Sequence, residues 1–448
     1  MSTSTRRLLG ATTAALLLGA LTACTGAGVT GAGSTAASST GTESTGATTG
    51  NPSADLHAVR LTVADGTDAG KARGRDLRIP SGWRAEVWAD VPDARMAAWL
   101  PDGSMLLTTG DRGTLLRLDP RDDGRAPAVD ELATGLDDPQ GVAVTQQDGR
   151  TVVVLGEGTR IVSWHYRGGG LSDRSILVDD LPTGGHGGKF VAVHDGVVAY
   201  DIGSASNSDG SDRRDHPDRA VIRQVRLDGS DDTLLATGVR NGEGLDFAPD
   251  GTLFTAVNQA DNQPYPFRDD TGQYGKRVQS YVDEHPNDQV TRITEGTELG
   301  WPFCQPDSRG KPDLLDLGYV DDPTNNPDGA ALDCSTVSRT MVGLPSHSAP
   351  IGFVFTNGSA LPEAFRDGAL ITSHGSWNRE PPRPPSVSYS AWDDATGTLG
   401  QPNTIVEGFQ DADGSRWGRS VDAVPGPDGS LYVTDDTAGL VYRLTPPD

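Results

Sequence analysis

His186 stands between two glycine pairs, in Gly184-Gly185-His186-Gly187-Gly188. Glycines on both sides let the backbone approach a ligand closely and leave the imidazole at a loop tip. With a reference pKa of about 6.5, such a ring is the natural general base near neutral pH, although a solvated loop histidine would read the same way. Arg240-Asn241 precedes an apolar stretch at 244–247. A guanidinium there can donate to an oxygen that gains negative charge during a reaction, and the asparagine can bond the edge of a planar ligand. An ion pair between neighbouring units with a capping asparagine is the structural alternative. The turn Asn258-Gln259-Ala260-Asp261-Asn262 offers hard oxygen donors of the kind calcium takes, or is a plain polar strand end. His374, Trp377 and Arg379 share the run His-Gly-Ser-Trp-Asn-Arg, where Trp377 serves either packing or stacking. Arg419, in Trp-Gly-Arg-Ser-Val-Asp, suits bidentate pairing with a carboxylate, with Asp422 placed to orient it or to ligate an inner water. Arg95 is a further anion clamp or a structural ion pair.

Six short units must carry these loops. Each is an Asp-Gly pair followed at once by an apolar run and a polar turn, starting at Pro101, Gln147, His194, Pro249, Arg366 and Pro427. Asp-Gly supplies the backbone for a tight connection, and the Val/Leu/Tyr/Phe run after it fits a buried strand. Further strands are expected at 113–118, 160–165, 221–227 and 439–444. A small β-unit repeated at irregular spacing marks a β-propeller, one copy per blade. The expected fold is all-β, a six-bladed β-propeller over residues 56–448.

Residues 1–24 read as an export signal: Arg6-Arg7, an apolar run from Leu8 to Leu21, then Leu-Thr-Ala-Cys ending at Cys24. The ending resembles a bacterial lipobox, with Cys24 as the lipidated residue, or the cysteine is incidental to an ordinary signal. Residues 25–55 are mostly Gly, Ser, Thr and Ala, a composition that cannot bury a core and behaves as a tether. The expected location is the outer face of a bacterial cell membrane, reached through a lipid anchor only. Cys304 and Cys334 then remain, a candidate disulfide in an exported chain or two buried thiols. The net charge of −25 argues against a nucleic-acid partner.

The stretch from Gly238, Gly-Val-Arg-Asn-Gly-Glu-Gly-Leu-Asp-Phe, resembles the signature of the glucose/sorbosone dehydrogenases, soluble quinoproteins that use pyrroloquinoline quinone (PQQ). Gly-Gly-His from Gly184, Glu-Leu-Gly-Trp-Pro-Phe-Cys from Glu298, Pro-Ser-His-Ser-Ala-Pro from Pro345 with the His374 run, and the Arg419 run match the same family in order. The resemblance covers the chain from Leu77 to the C-terminus. It implies oxidation of an aldose or related sugar aldehyde to a lactone or acid by PQQ and Ca²⁺, with His186 taking the hydroxyl proton and Arg240 polarising the quinone. Arg95, Gln140, Arg240, Asn241, His374, Arg379 and Arg419 would hold the cofactor, and Gln259, Ala260 and Asp261 the metal, through the carbonyls of the first two. Electrons would leave to an external acceptor, a quinone or a cytochrome, since the chain carries no Cys-x-x-Cys-His haem motif. Glu243 stands where the sugar enzymes carry a neutral polar residue. Two other classes stay open: a ligand-binding propeller without catalysis, and a calcium-dependent lactonase-like hydrolase.

Overall fold

The computed structural model describes residues 55–121 and 123–447. The export signal, Cys24 and all but the last residue of the tether lie outside the described residues.

Six antiparallel sheets form the blades of a propeller. Their innermost strands are Ala94–Trp99, Val142–Gln147, Val191–His194, Gly244–Phe247, Pro350–Phe355 and Ser420–Pro425, and each pairs with the strand that follows it. All six Asp-Gly units fall at this connection between first and second strand. The carboxylates of Asp102, Asp250 and Asp428 accept the backbone N–H two residues on, from Ser104, Thr252 and Ser430. In these three units the aspartate side chain completes the turn, while Asp148 and Asp195 instead take the positive φ, 52° and 47°, of a tight hairpin turn. The third strands appear at Thr114–Asp119, Arg160–Arg167, Val221–Arg226 and Leu440–Thr445, as expected.

The ring closes by exchange of chain ends. Arg84–Asp90 pairs antiparallel with Leu440–Thr445, so the outer strand of blade six comes from the start of the fold. Thr62–Val63 lies parallel beyond it, and Leu56–Arg60 forms a separate two-stranded ribbon with Asp76–Pro80. The blades therefore begin at Thr62, and Leu56 opens the ribbon beside them. Apolar side chains fill the wedges between blades. Phe254 and Phe355 each meet Trp392 edge-on, at 5.7 and 5.5 Å, where blades four and five abut. Such pairs contribute about 0.5–1.5 kcal/mol each beyond the area they bury. Blade four carries an excursion that the Cys304–Cys334 disulfide closes.

The innermost strands surround an axial channel of about 390 Å³. Glu243, Asp246 and Asp422 face it. Burial raises Asp246 to about 7 and Asp422 to about 6, against two backbone N–H donors on each that favour the charged form.

Candidate active site

Every candidate residue named above lies at the end of the ring opposite the Asp-Gly turns. The segments there either enter an innermost strand or leave a second strand, and their lengths vary, from two residues between Glu157 and Arg160 to the long excursions after Val257 and Ser373. They carry Arg95, Gln140, His186, Arg240, Asn241, Gln259, Ala260, Asp261, His374, Arg379 and Arg419.

His186 is held from below by an arginine that no sequence signal marks. Arg219 is 6% exposed and donates to the carbonyls of Thr183, Gly184, His186, Gly203 and Ser204. It ties the glycine loop to the end of the second strand of blade three. Glycine is required where the two segments touch. A Cβ on Gly185, at φ +56°, would sit 2.5 Å from the carbonyl oxygen of Ala205, and one on Gly203 would sit 2.5 Å from the Cβ of His186. The buried Lys189 ammonium adds two further bonds, to the carbonyls of Pro182 and Gly187.

Hydrogen bonding fixes the tautomer of His186. Its Nδ1 lies 2.8 Å from the hydroxyl of Ser204, and that hydroxyl donates at 2.7 Å to the carbonyl of Ser206. The serine proton is thereby spent, so Nδ1 carries the imidazole hydrogen and Nε2 keeps its lone pair. Burial first, and the Arg240 charge second, lower the pKa to about 4. The ring is a neutral base.

Arg240 is 4% exposed and joins two loops. Its Nε donates to the Asn207 carbonyl at 3.1 Å, Nη1 to the Asn258 carbonyl at 3.0 Å and Nη2 to the Asn207 side chain at 2.9 Å; Asp261 is 3.8 Å away. Asn207 also receives the Asp261 N–H and returns a bond to its carbonyl. Asn207 has no family motif around it and was invisible in the sequence. The Asn241 amide donates to Glu243 at 3.0 Å, which leaves its Oδ1 and its second N–H for a ligand. Glu243 is the unexpected carboxylate, and it meets the charges it needs: Arg95 and Arg240 both favour its ionised form, while burial wins and raises its pKa.

On the far side of the axis Arg95 donates to Gln140 at 2.8 Å and to Asp436 at 2.9 Å. The Gln140 amide nitrogen donates to Asp138, so Gln140 bridges Asp138 and Arg95 and orients the guanidinium. His374 donates from Nε2 to Asp436, 3.1 Å away. Burial outweighs that carboxylate, with Arg419 and Arg95 adding to the loss, and the ring falls to about 4. His374 is thus neutral. It cannot replace the charge of a clamping lysine and offers only the lone pair of Nδ1.

Arg419 donates to the carbonyls of His374 and Gly375, at 3.0 and 3.5 Å, and its N–H is held by Asp435. Asp422 does not orient it; that carboxylate caps Ala97 and Ala423. Arg416 bonds Gln410 and the carbonyls of Ser376 and Arg383. Among the described residues neither the Arg416 nor the Arg419 guanidinium forms an ion pair within 4 Å; burial lowers the pKa of Arg419 most, Asp436 opposes it, and the Arg416 and Arg95 charges add to the loss. Two guanidiniums with no carboxylate in direct contact, in a chain of net charge −25, fit the carboxylates of an anionic ligand such as PQQ. Arg379 is not among them. It is engaged by the Asp283 and Pro381 carbonyls and paired with Glu284.

The calcium expectation narrows. Asp261 accepts from His347 at 3.1 Å and from Trp377 at 3.2 Å, one donor on each carboxylate oxygen. The carbonyls of Gln259 and Ala260 accept no hydrogen bond among the described residues, and Asp288 fixes the Gln259 N–H at 2.8 Å. Hard oxygen donors therefore stand open at two of the three positions, and they fit the ion. Among the described residues no three His, Cys, Asp or Glu side chains converge as a metal site.

Comparison with known proteins agrees with this architecture. A pyrroloquinoline quinone-dependent pyranose dehydrogenase of Coprinopsis cinerea is 24% identical over 334 residues, 65% of this chain and 44% of that protein. An uncharacterized protein of Borreliella burgdorferi is 29% identical over 262 residues, 58% of this chain and 60% of that one. The chain thus spans about half the length of the curated relatives it matches. Among solved structures, the holo PQQ domain of the Coprinopsis cinerea pyranose dehydrogenase superposes with a TM-score of 0.71 at 20% identity, covering 86% of this chain and all of that one. The calcium structure of Trichoderma reesei Carbohydrate-Active Enzymes Family AA12 gives 0.68 at 18% identity, covering 82% and 96%. These likenesses establish the fold. The family itself is fixed by a sequence model described as TrAA12-like, which matches residues 77–446, from the ribbon strand at Leu77 through the closing strand of blade six. The chain belongs to the TrAA12-like family.

Proposed function

We propose that this protein is a PQQ-dependent oxidoreductase acting on an aldose or related sugar. One observation carries the reading: Arg416 and Arg419, with no carboxylate in direct contact, share a rim with His186, whose Nε2 is an unprotonated lone pair. PQQ, when bound, supplies the hydride acceptor. The chain supplies the rest. Arg416 and Arg419 hold carboxylates, Arg240 donates toward a quinone oxygen, and the Gln259 and Ala260 carbonyls hold calcium. His186 Nε2 takes the hydroxyl proton of the sugar, and Ser204 keeps the ring turned so that this nitrogen faces out. Relatives named pyranose dehydrogenase and aldose sugar dehydrogenase support the reaction class.

The acceptor of the electrons is external, a quinone or a cytochrome. The Leu-Thr-Ala-Cys ending supports an exported lipoprotein with its propeller outside the cell. A second reading, a ligand-binding propeller of the same family, draws on the engagement of Asn241 by Glu243 and of Asp261 by His347. Adding PQQ and Ca²⁺ to purified apoprotein decides between them. A bound quinone spectrum that aldoses bleach supports the enzyme, and no PQQ binding hands the case to the binder.

A further inference from the structure

Trp377 is 74% exposed, the one aromatic side chain among the large apolar residues that the described structure leaves open to solvent. Its position is nevertheless fixed. Ser376 and Arg383 exchange two hydrogen bonds, Ser376 N–H to the Arg383 carbonyl at 3.1 Å and Arg383 N–H to Ser376 Oγ at 2.7 Å, closing the base of the loop. A Cβ on Gly375, at φ +81°, would lie 2.7 Å from the Arg383 carbonyl oxygen, so the base closes only with glycine there. Four prolines between 381 and 385 stiffen the return. Beyond the tryptophan, Arg379 anchors the tip to Asp283 and Glu284. The indole N–H donates to Asp261 Oδ2 at 3.2 Å, the oxygen that Arg240 faces at 3.8 Å. Asp261 also acts on the charge state of His186. One edge of the indole is therefore tied to the site and its body is left in water.

A singly exposed apolar side chain needs no explanation by itself; what marks Trp377 is that its indole is tied by Nε1 to Asp261, the carboxylate that faces Arg240. An indole anchored by its N–H offers a rigid flat surface that costs little entropy when something stacks on it. Closed sugar rings present such a counterpart, a flat face of C–H groups edged by hydroxyls. Small open-chain aldehydes present none.

We propose that Trp377 is the stacking platform of the substrate site and selects sugars in their closed-ring form, oxidisable hydroxyl toward His186 Nε2. This inference deepens the sugar oxidoreductase reading and rests on it for the direction of the substrate. Trp377 determines specificity and takes no part in proton transfer.

The test uses the full chain and two variants, W377A and W377F. Phenylalanine keeps a stacking face and loses the N–H; alanine loses both. The first measurement is tryptophan fluorescence of the apoprotein titrated with methyl glucopyranoside, which cannot open its ring. A saturable change in wild type that vanishes in both variants is expected, because neither carries the reporting indole. The second uses PQQ-loaded protein and compares kcat/KM for glucose with that for glyceraldehyde. W377A should lower this ratio at least 10-fold, through KM for glucose, while W377F stays within about 3-fold of wild type. Equal losses on both substrates, or a ratio unchanged in W377A, would overturn the platform. So would a glycoside titration that leaves wild-type fluorescence flat. A glycoside response in a protein that binds no PQQ would sustain the platform and defeat only the redox reading.

Discussion

His374 donates to Asp436 over 3.1 Å and is still neutral, while Asp436 is held down to about 2. Burial opposes charge on both, but Asp436 has three cationic or donor neighbours, His374, Arg95 and Arg419, and keeps its charge. Its folded pKa lies below the reference of 3.8, so its contribution to stability is present above that reference and disappears as pH falls through about 2. D436N should lose about 2 kcal/mol at pH 7, on the order of the shift at 1.36 kcal/mol per unit. Denaturant unfolding of variant and wild type should converge toward pH 2.

Arg219 ties the His186 loop, through the carbonyls of Thr183, Gly184 and His186, to those of Gly203 and Ser204, a link that the Lys189 bonds to Pro182 and Gly187 do not make. R219A leaves several buried acceptors unpaired and should cost about 2–4 kcal/mol, since each such group costs about 1–3 kcal/mol and some relax toward water. Turnover should fall with it, because the loop no longer presents Nε2. Thermal unfolding and a dye-linked assay at saturating PQQ report the two effects separately.

Binding and chemistry should divide between His186 and Arg419. H186A should keep PQQ affinity within a few-fold and lower turnover about 100- to 10,000-fold, the range for a lost general base. R419A should weaken PQQ binding by about 2–5 kcal/mol, as when a charge pair loses one partner. Since Nε2 acts unprotonated, kcat/KM of the wild type should hold near neutral pH and fall as pH drops toward about 4. A wild-type turnover in H186A would remove that residue as the base and leave the free Nδ1 of His374.

If Cys24 is lipidated, wild-type protein should fractionate with membranes and Cys24→Ala should be released. Recovery of the wild type in the soluble fraction, cleaved at another position, would end the lipoprotein proposal.

Sequence alone determined the frame. Six Asp-Gly turns fix six blades because turn chemistry is local: Asp102, Asp250 and Asp428 bond the N–H two residues away, and no distant contact is needed. The identities of His186, Arg240 and Arg419 were legible for a similar reason, since each sits in a short motif. Their states were not. Arg95 and Asp436 stand 341 residues apart and meet only because the ring closes. Arg219, Asn207 and Ser204 decide where His186 and Arg240 point, yet their loops carry no motif of their own. The protonation of His374, the engagement of Asp261, and the pairing of Arg379 with Glu284 likewise depend on burial and neighbours brought in from other blades. Charge and tautomer are properties of an environment, and that environment exists only once the six blades have closed.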